Sequence, residues 1–228
     1  MKSRLRPGLG IILLLLYLPG CAHRQSATLK PGRYHGLIRV ACVGDSITYG
    51  AGIEDRAHRS YPEVLGQRLG PKFQTRNFGV SGATLLKKGD KPYWGEPEFR
   101  AVGEYGPDVV LILLGSNDSK PQNWSHQGEF GADLRDLVRH FANLKSKPRI
   151  WLCLPPPVYE DRWGISEKVV NEEVIPIILQ VAQEKKLPII DLHFAMGNRP
   201  ELFPDKIHPN AEGAALMAKI VGDALLGQ

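Results

Sequence analysis

Six consecutive apolar residues, Val109-Val110-Leu111-Ile112-Leu113-Leu114, constrain the fold of this chain more than any other feature. A strand with one wet face alternates apolar and polar side chains; a strand covered on both faces reads as an unbroken run and belongs to a parallel sheet flanked by helices. Similar short runs near 37–43, 73–78, 149–154 and 187–191 supply four more strands. Between them lie segments with apolar residues three and four apart, clearest over 129–144, where Phe130, Leu134, Leu137, Val138, Phe141 and Leu144 share one helical face. Val169, Val170, Val174, Ile177, Ile178 and Val181 repeat in the same way over 166–186, although Pro176 is expected to kink or split that helix. A last helix is expected from about Pro209 to Leu226. The class that follows is α/β: a five-stranded parallel sheet between two helical layers, in one domain.

The N-terminus departs from this pattern. Lys2, Arg4 and Arg6 precede an apolar run from Leu9 to Leu18, which Pro19-Gly20-Cys21 follows. That is the layout of a secretory signal over 1–20, and the run is too short to cross a membrane, which takes roughly 20 apolar residues. Gly20-Cys21 resembles the lipobox of bacterial lipoproteins, with Pro19 a departure from it. The expectation is an extracytoplasmic protein held to a membrane by a lipidated Cys21. Residues 21–36, polar with Pro31, Gly32 and Gly36, are expected to form a poorly ordered tether ahead of a domain over 37–228. Without residues 1–20 the chain carries 26 Lys and Arg against 24 Asp and Glu, a balance that gives no ground for a nucleic-acid partner. Cys42 and Cys153 fall inside strand-like runs and are expected to be buried free thiols.

Ligands of open parallel sheets bind beyond the carboxyl ends of the strands, so chemistry is sought there. The first strand ends in Gly44-Asp45-Ser46, the second in Asn77-Phe78-Gly79-Val80-Ser81-Gly82, the third in Gly115-Ser116-Asn117-Asp118, and Asp205-Lys206-Ile207-His208 lies near the C-terminus. A Gly-Asp-Ser triplet by itself reads equally as a turn or a helix cap. Together and in this order, the four segments resemble the sequence blocks of the SGNH hydrolases, also called the GDSL esterase/lipase family, over about 37–226. The resemblance implies a flavodoxin-like α/β/α fold and a serine esterase without a cofactor. It also implies Ser46 as nucleophile, His208 and Asp205 as the rest of a triad, and an oxyanion hole of Ser46 N–H, Gly82 N–H and the Asn117 side chain. The chemistry agrees: a serine hydroxyl needs a neutral imidazole to take its proton, and that imidazole needs a carboxylate to hold its tautomer. Asp45 is expected to brace the turn, Asp118 to order its loop or to contact substrate, and His193 to be structural.

Other readings fare worse against the same residues. Gly50-Ala51-Gly52 lacks the third glycine of a dinucleotide-binding turn, and Thr48 and Ala83 stand where a Gly-x-Ser-x-Gly elbow needs glycine. The sequence has no metal-ligand spacing.

Substrate is harder to read. Trp94 and the run Gln122-Asn123-Trp124 sit in loops after the second and third blocks, where an aromatic face could stack on a pyranose ring and amides could meet hydroxyls. Arg162-Trp163-Gly164 and Ser119-Lys120-Pro121-Gln122-Asn123-Trp124 resemble loops of family members that act as carbohydrate or sialate O-acetylesterases. Trp94, Asn123, Trp124 and Arg162 are therefore candidate substrate contacts, and short acyl esters on a glycan the expected substrate. The alternatives are a lysophospholipase or short-chain lipase, suggested by the membrane tether, and a glycan-binding surface lipoprotein.

Overall fold

The computed structural model describes residues 28–228. The proposed signal segment and Cys21 lie outside the described residues. Five strands, β1 (Ile38–Gly44), β2 (Phe73–Gly79), β3 (Val109–Leu113), β4 (Arg149–Leu154) and β5 (Ile189–Asp191), form one sheet in the order β2-β1-β3-β4-β5. Every pairing is parallel, with Cys42 beside both Asn77 and Leu111, and Ile112 beside Leu152.

The pleat sends alternate residues to two cores. Ala41, Val43, Val110, Ile112, Ile150 and Leu152 face the helices Pro97–Tyr105, Gln127–Ala142 and Ile175–Lys185. Val40, Cys42, Val109, Leu111, Trp151 and Cys153 face the helices Tyr61–Leu69 and Ala211–Leu226. All five residues of β3 are buried, as its unbroken apolar run requires. Both cysteines are free and buried.

Of two expectations about irregular segments, one is met and one is not. Pro176 splits its helix: the turn Glu167–Val169 passes into a π-helical turn over Val170–Val174, and α-helix resumes only at Ile175–Lys185. The wide turn falls where the proline ring and its missing N–H interrupt the i→i−4 pattern. The part of the tether that the structure describes, residues 28–36, differs from expectation and lies on the domain. Leu29 is buried and its N–H donates to Leu225 O, Lys72 Nζ donates to Tyr34 O, and Arg149 Nη1 donates to Thr28 O.

Strand order reverses direction between β1 and β3, so the loops that leave these two strands diverge and open a crevice at the carboxyl edge. Ser46 follows β1 and Asn117 follows β3.

Candidate active site

Ser46 opens a one-turn helix, Ser46–Tyr49, directly after β1. Asp45 caps it: its Oδ1 accepts from Ile47 N at 2.9 Å, satisfying an N–H that a helix start leaves bare. Asp45 is 1% exposed, and burial pushes its carboxyl up to about 6 against the pull of that hydrogen bond. The turn is pressed onto β2. A Cβ on Gly79 would stand 2.2 Å from Tyr49 N, so only glycine lets the strand end and the serine turn meet.

His208 reaches Ser46 from the C-terminal part of the chain, with Nε2 2.9 Å from Ser46 Oγ. Its Nδ1 is 2.8 Å from Asp205 Oδ2. Asp205 Oδ1 accepts from His208 N at 2.7 Å and from Ile207 N at 3.0 Å, so one carboxylate fixes both the ring and its backbone. Burial opposes the charge on Asp205, but these hydrogen bonds from His208 and Ile207 together outweigh it and hold the carboxyl below its usual range. An ionised carboxylate only accepts, so Nδ1 carries the ring proton and Nε2 of the neutral imidazole is left to accept from the serine hydroxyl.

The loops after β2 and β3 are sewn to each other and to β1. Val80 N donates to Gly44 O, Ala83 N donates to Val80 O, and Asn117 Nδ2 donates to Ala83 O at 3.2 Å. One amide hydrogen of Asn117 is thereby used, and no hydrogen bond among the described residues takes the other. Gly82, between these anchors, has φ +83°, a conformation that costs glycine little. Asp118 is buried and accepts from Leu85 N at 3.0 Å and Leu86 N at 2.7 Å. It orders the loop, and burial pushes its carboxyl up to about 7 although both N–H groups favour the charge.

The four expected substrate contacts part company. Asn123 is 1% exposed and its amide is spent inside the protein: Nδ2 donates to Asn117 O at 2.8 Å and to Asp90 Oδ1 at 3.0 Å, and Oδ1 accepts from Asp90 N at 2.8 Å. Trp94 donates through Nε1 to Leu85 O, packs on Phe99, and lines a cavity of about 410 Å³ with Asp136, Arg139 and His140 of the helix Gln127–Ala142. These placements correct the expectation that Asn123 and Trp94 face a substrate, because a fully partnered buried amide and an indole packed on another face offer nothing to the crevice. Trp124 is mostly buried, with Nε1 donating to Glu173 Oε2 at 2.7 Å, yet its edge lines a larger cavity of about 690 Å³. Arg162 lines the same cavity and its Nη1 donates to Asp205 O at 3.4 Å. His193 ring-bonds Glu167 at 2.9 Å.

Trp163 was not among those candidates. Its ring centroid lies 5.6 Å from that of His208, and it is 56% exposed. The sequence signal was present in Arg162-Trp163-Gly164, but nothing in the spacing tells which tryptophan turns outward.

A family model described as GDSL-like Lipase/Acylhydrolase family matches residues 42–216. The chain belongs to this family. Among family relatives, an acetylxylan esterase of Xylanibacter ruminicola is 41% identical over 213 residues, covering 86% of this chain and 44% of the relative. A multidomain esterase of Ruminococcus flavefaciens is 25% identical over 96% of this chain and 32% of its own length. The chain thus spans less than half the length of these two relatives. Among solved structures, Est24, a carbohydrate acetylesterase from Sinorhizobium meliloti, superposes with a TM-score of 0.68 at 19% identity, covering 82% of this chain and 97% of that one, and shares the fold.

Proposed function

We propose that the protein is a serine esterase that removes acetyl groups from a carbohydrate, with Ser46, His208 and Asp205 as its triad. The observation that carries this reading is the continuous relay from Asp205 Oδ2 through the His208 ring to Ser46 Oγ, with contacts of 2.8 and 2.9 Å. His208 Nε2 takes the hydroxyl proton as Ser46 Oγ attacks the ester carbonyl. The charge that forms on the carbonyl oxygen meets Ser46 N–H, Gly82 N–H and the free amide hydrogen of Asn117. One such donor is typically worth about 3–4 kcal/mol of transition-state stabilisation. Imidazolium then protonates the leaving alkoxide, and a water activated by the same nitrogen releases acetate.

The choice of an acetylated glycan is supported by the 41% identity to an acetylxylan esterase and by Trp124 and Trp163, which line the 690 Å³ cavity beside the polar groups of Ser125, Gln127 and Asp161. The test is hydrolysis of p-nitrophenyl acetate, p-nitrophenyl octanoate and acetylated xylo-oligosaccharides by the protein and by Ser46→Ala. Acetate release from the oligosaccharide that vanishes in Ser46→Ala is expected. Octanoate as the best substrate would move lipid esters ahead, and activity surviving in Ser46→Ala would sink the mechanism.

The same proposal places the enzyme outside the cytoplasm on a lipid-modified Cys21, supported by the sequence layout of residues 1–21. Metabolic labelling with a radioactive fatty acid should mark the bacterially expressed protein and not Cys21→Ser; equal labelling of both would reject the anchor.

A further inference from the structure

Residues 162–165 form a hairpin beside His208. Arg162 N donates to Ile165 O and Ile165 N donates to Arg162 O, leaving Trp163 and Gly164 as a two-residue loop. Both have positive φ, 53° and 81°, as a type I′ turn requires. Asn, Asp or Gly normally holds the first of these positions, and a bulky aromatic there is a true outlier. Local strain of this kind persists where the surroundings fix it, and it concentrates at ligand clamps.

The surroundings do fix it. Arg162 Nη1 reaches Asp205 O and its guanidinium lies 4.9 Å from the Trp163 ring centroid. Ser166 N donates to Ser119 Oγ, and Glu167 N donates to Asp161 Oδ1. The result is a large ring on a braced tip, beside His208 on one side and open to solvent over more than half its surface. The 690 Å³ cavity continues from that ring between segments 119–127 and 161–169, with Ser125, Gln127 and Asp161 supplying polar groups.

We infer that Trp163 is the platform on which the acetylated pyranose stacks, and that the cavity beyond it receives the neighbouring sugar of the same chain. The apolar C–H face of an equatorially substituted pyranose fits a flat exposed indole, and its rim hydroxyls meet the polar cavity edge. Pro121, Ile165 and Val169 also line the cavity, so a long acyl chain is the competing occupant, and an octanoate ester is the control for it. Preorganising the ring on a strained, anchored tip removes the ordering cost from the binding step.

This inference rests on the carbohydrate deacetylase reading, and one experiment separates the two. Wild type, Trp163→Ala and Trp163→Phe are compared on acetylated xylo-oligosaccharides, p-nitrophenyl acetate and p-nitrophenyl octanoate. Trp163→Ala should raise KM for the oligosaccharide and lower the ratio of its kcat/KM to that of p-nitrophenyl acetate by about tenfold, the worth of one stacked ring. Trp163→Phe should restore most of it. Calorimetry on Ser46→Ala should show binding of non-acetylated xylo-oligosaccharide that the added Trp163→Ala weakens about tenfold. Wild type active on the oligosaccharide with an unchanged ratio in Trp163→Ala would overturn the platform alone. An equal fall on every ester would make Trp163 a support for His208, and a selective fall on octanoate would make it an acyl contact; either overturns the inference. Wild type inactive on the oligosaccharide would overturn the carbohydrate reading and the platform with it.

Discussion

Asn123→Ala distinguishes a loop fastener from a substrate contact. The amide holds two loops at once, through one bond to Asn117 O and two to Asp90. Asn117 is buried, and without Asn123 its carbonyl keeps only a long 3.3 Å contact from Lys120 N. Leaving a buried acceptor so poorly served costs about 1–3 kcal/mol, and the two bonds to the exposed Asp90, where water can substitute, about 0.5–1 kcal/mol each. The total, about 2–5 kcal/mol, corresponds to a fall in Tm of roughly 5–15 °C for a domain of this size.

The kinetic consequence follows from which loop is freed. Asn117 carries the side-chain donor proposed for the oxyanion, and a displacement of about 1 Å in such a group can cost on the order of a hundredfold. Asn123→Ala should therefore lower kcat on p-nitrophenyl acetate about tenfold or more, with KM little changed. Differential scanning fluorimetry and steady-state kinetics on the same preparation supply both readings. Asn123→Asp should be worse at pH 7, because its carboxylate faces both Asn117 O and the Asp90 carboxylate, and it should recover in part on acidification. A Tm within a degree of wild type, with KM for the glycan raised and kcat intact, would refute the argument and return Asn123 to the substrate.

Gly79→Ala forces a Cβ against Tyr49 N and Thr48 C, both backbone atoms, so it should destabilise by about 1–3 kcal/mol or more and displace the Ser46 turn; a normal Tm and normal kcat would contradict the close approach. Asp118 has a folded pKa raised to about 7 by burial, so its contribution to stability is full below the unfolded value of 3.8 and is lost as pH rises through about 7. Asp118→Asn, although less stable because one of the two backbone N–H groups loses its acceptor, should show a flatter Tm profile between pH 4 and 7; an identical slope would mean the carboxyl titrates normally. Cys42 and Cys153 are fully enclosed and burial pushes both thiols up, Cys153 to about 12, so a thiol reagent at pH 8 should modify neither in the native protein and both after denaturation. Rapid native labelling of either would show that the core opens.

Sequence reports burial better than direction. The apolar run at 109–114 located β3 because a strand covered on both faces has no alternative pattern, and the helix read over 129–144 lies at Gln127–Ala142, since its apolar stripe marks its buried face while its ends depend on local caps. The fifth strand, read over 187–191, shortens to Ile189–Asp191 because Lys186 closes the preceding helix in the left-handed conformation and Leu187 N returns to Ala182 O. The candidate triad was named from the four sequence blocks that resemble the family, and the structure brings Asp205, His208 and Ser46 within hydrogen-bonding reach of one another. The tryptophans were not, because an indole in a loop follows whichever acceptor lies near: Leu85 O draws Trp94 onto one helix and Glu173 draws Trp124 into the core. The acceptors lie 9 and 49 residues away, and neither is marked by a local pattern. Trp163 defeats the rule in another way, since turn preferences would put Asn or Gly at its position, and the residue that violates the local preference is the one left exposed beside His208. Such a misfit can be read only after the backbone is known, and Lys147, Lys186 and Lys206 share the positive φ, so it is the exposure beside His208 that sets Trp163 apart.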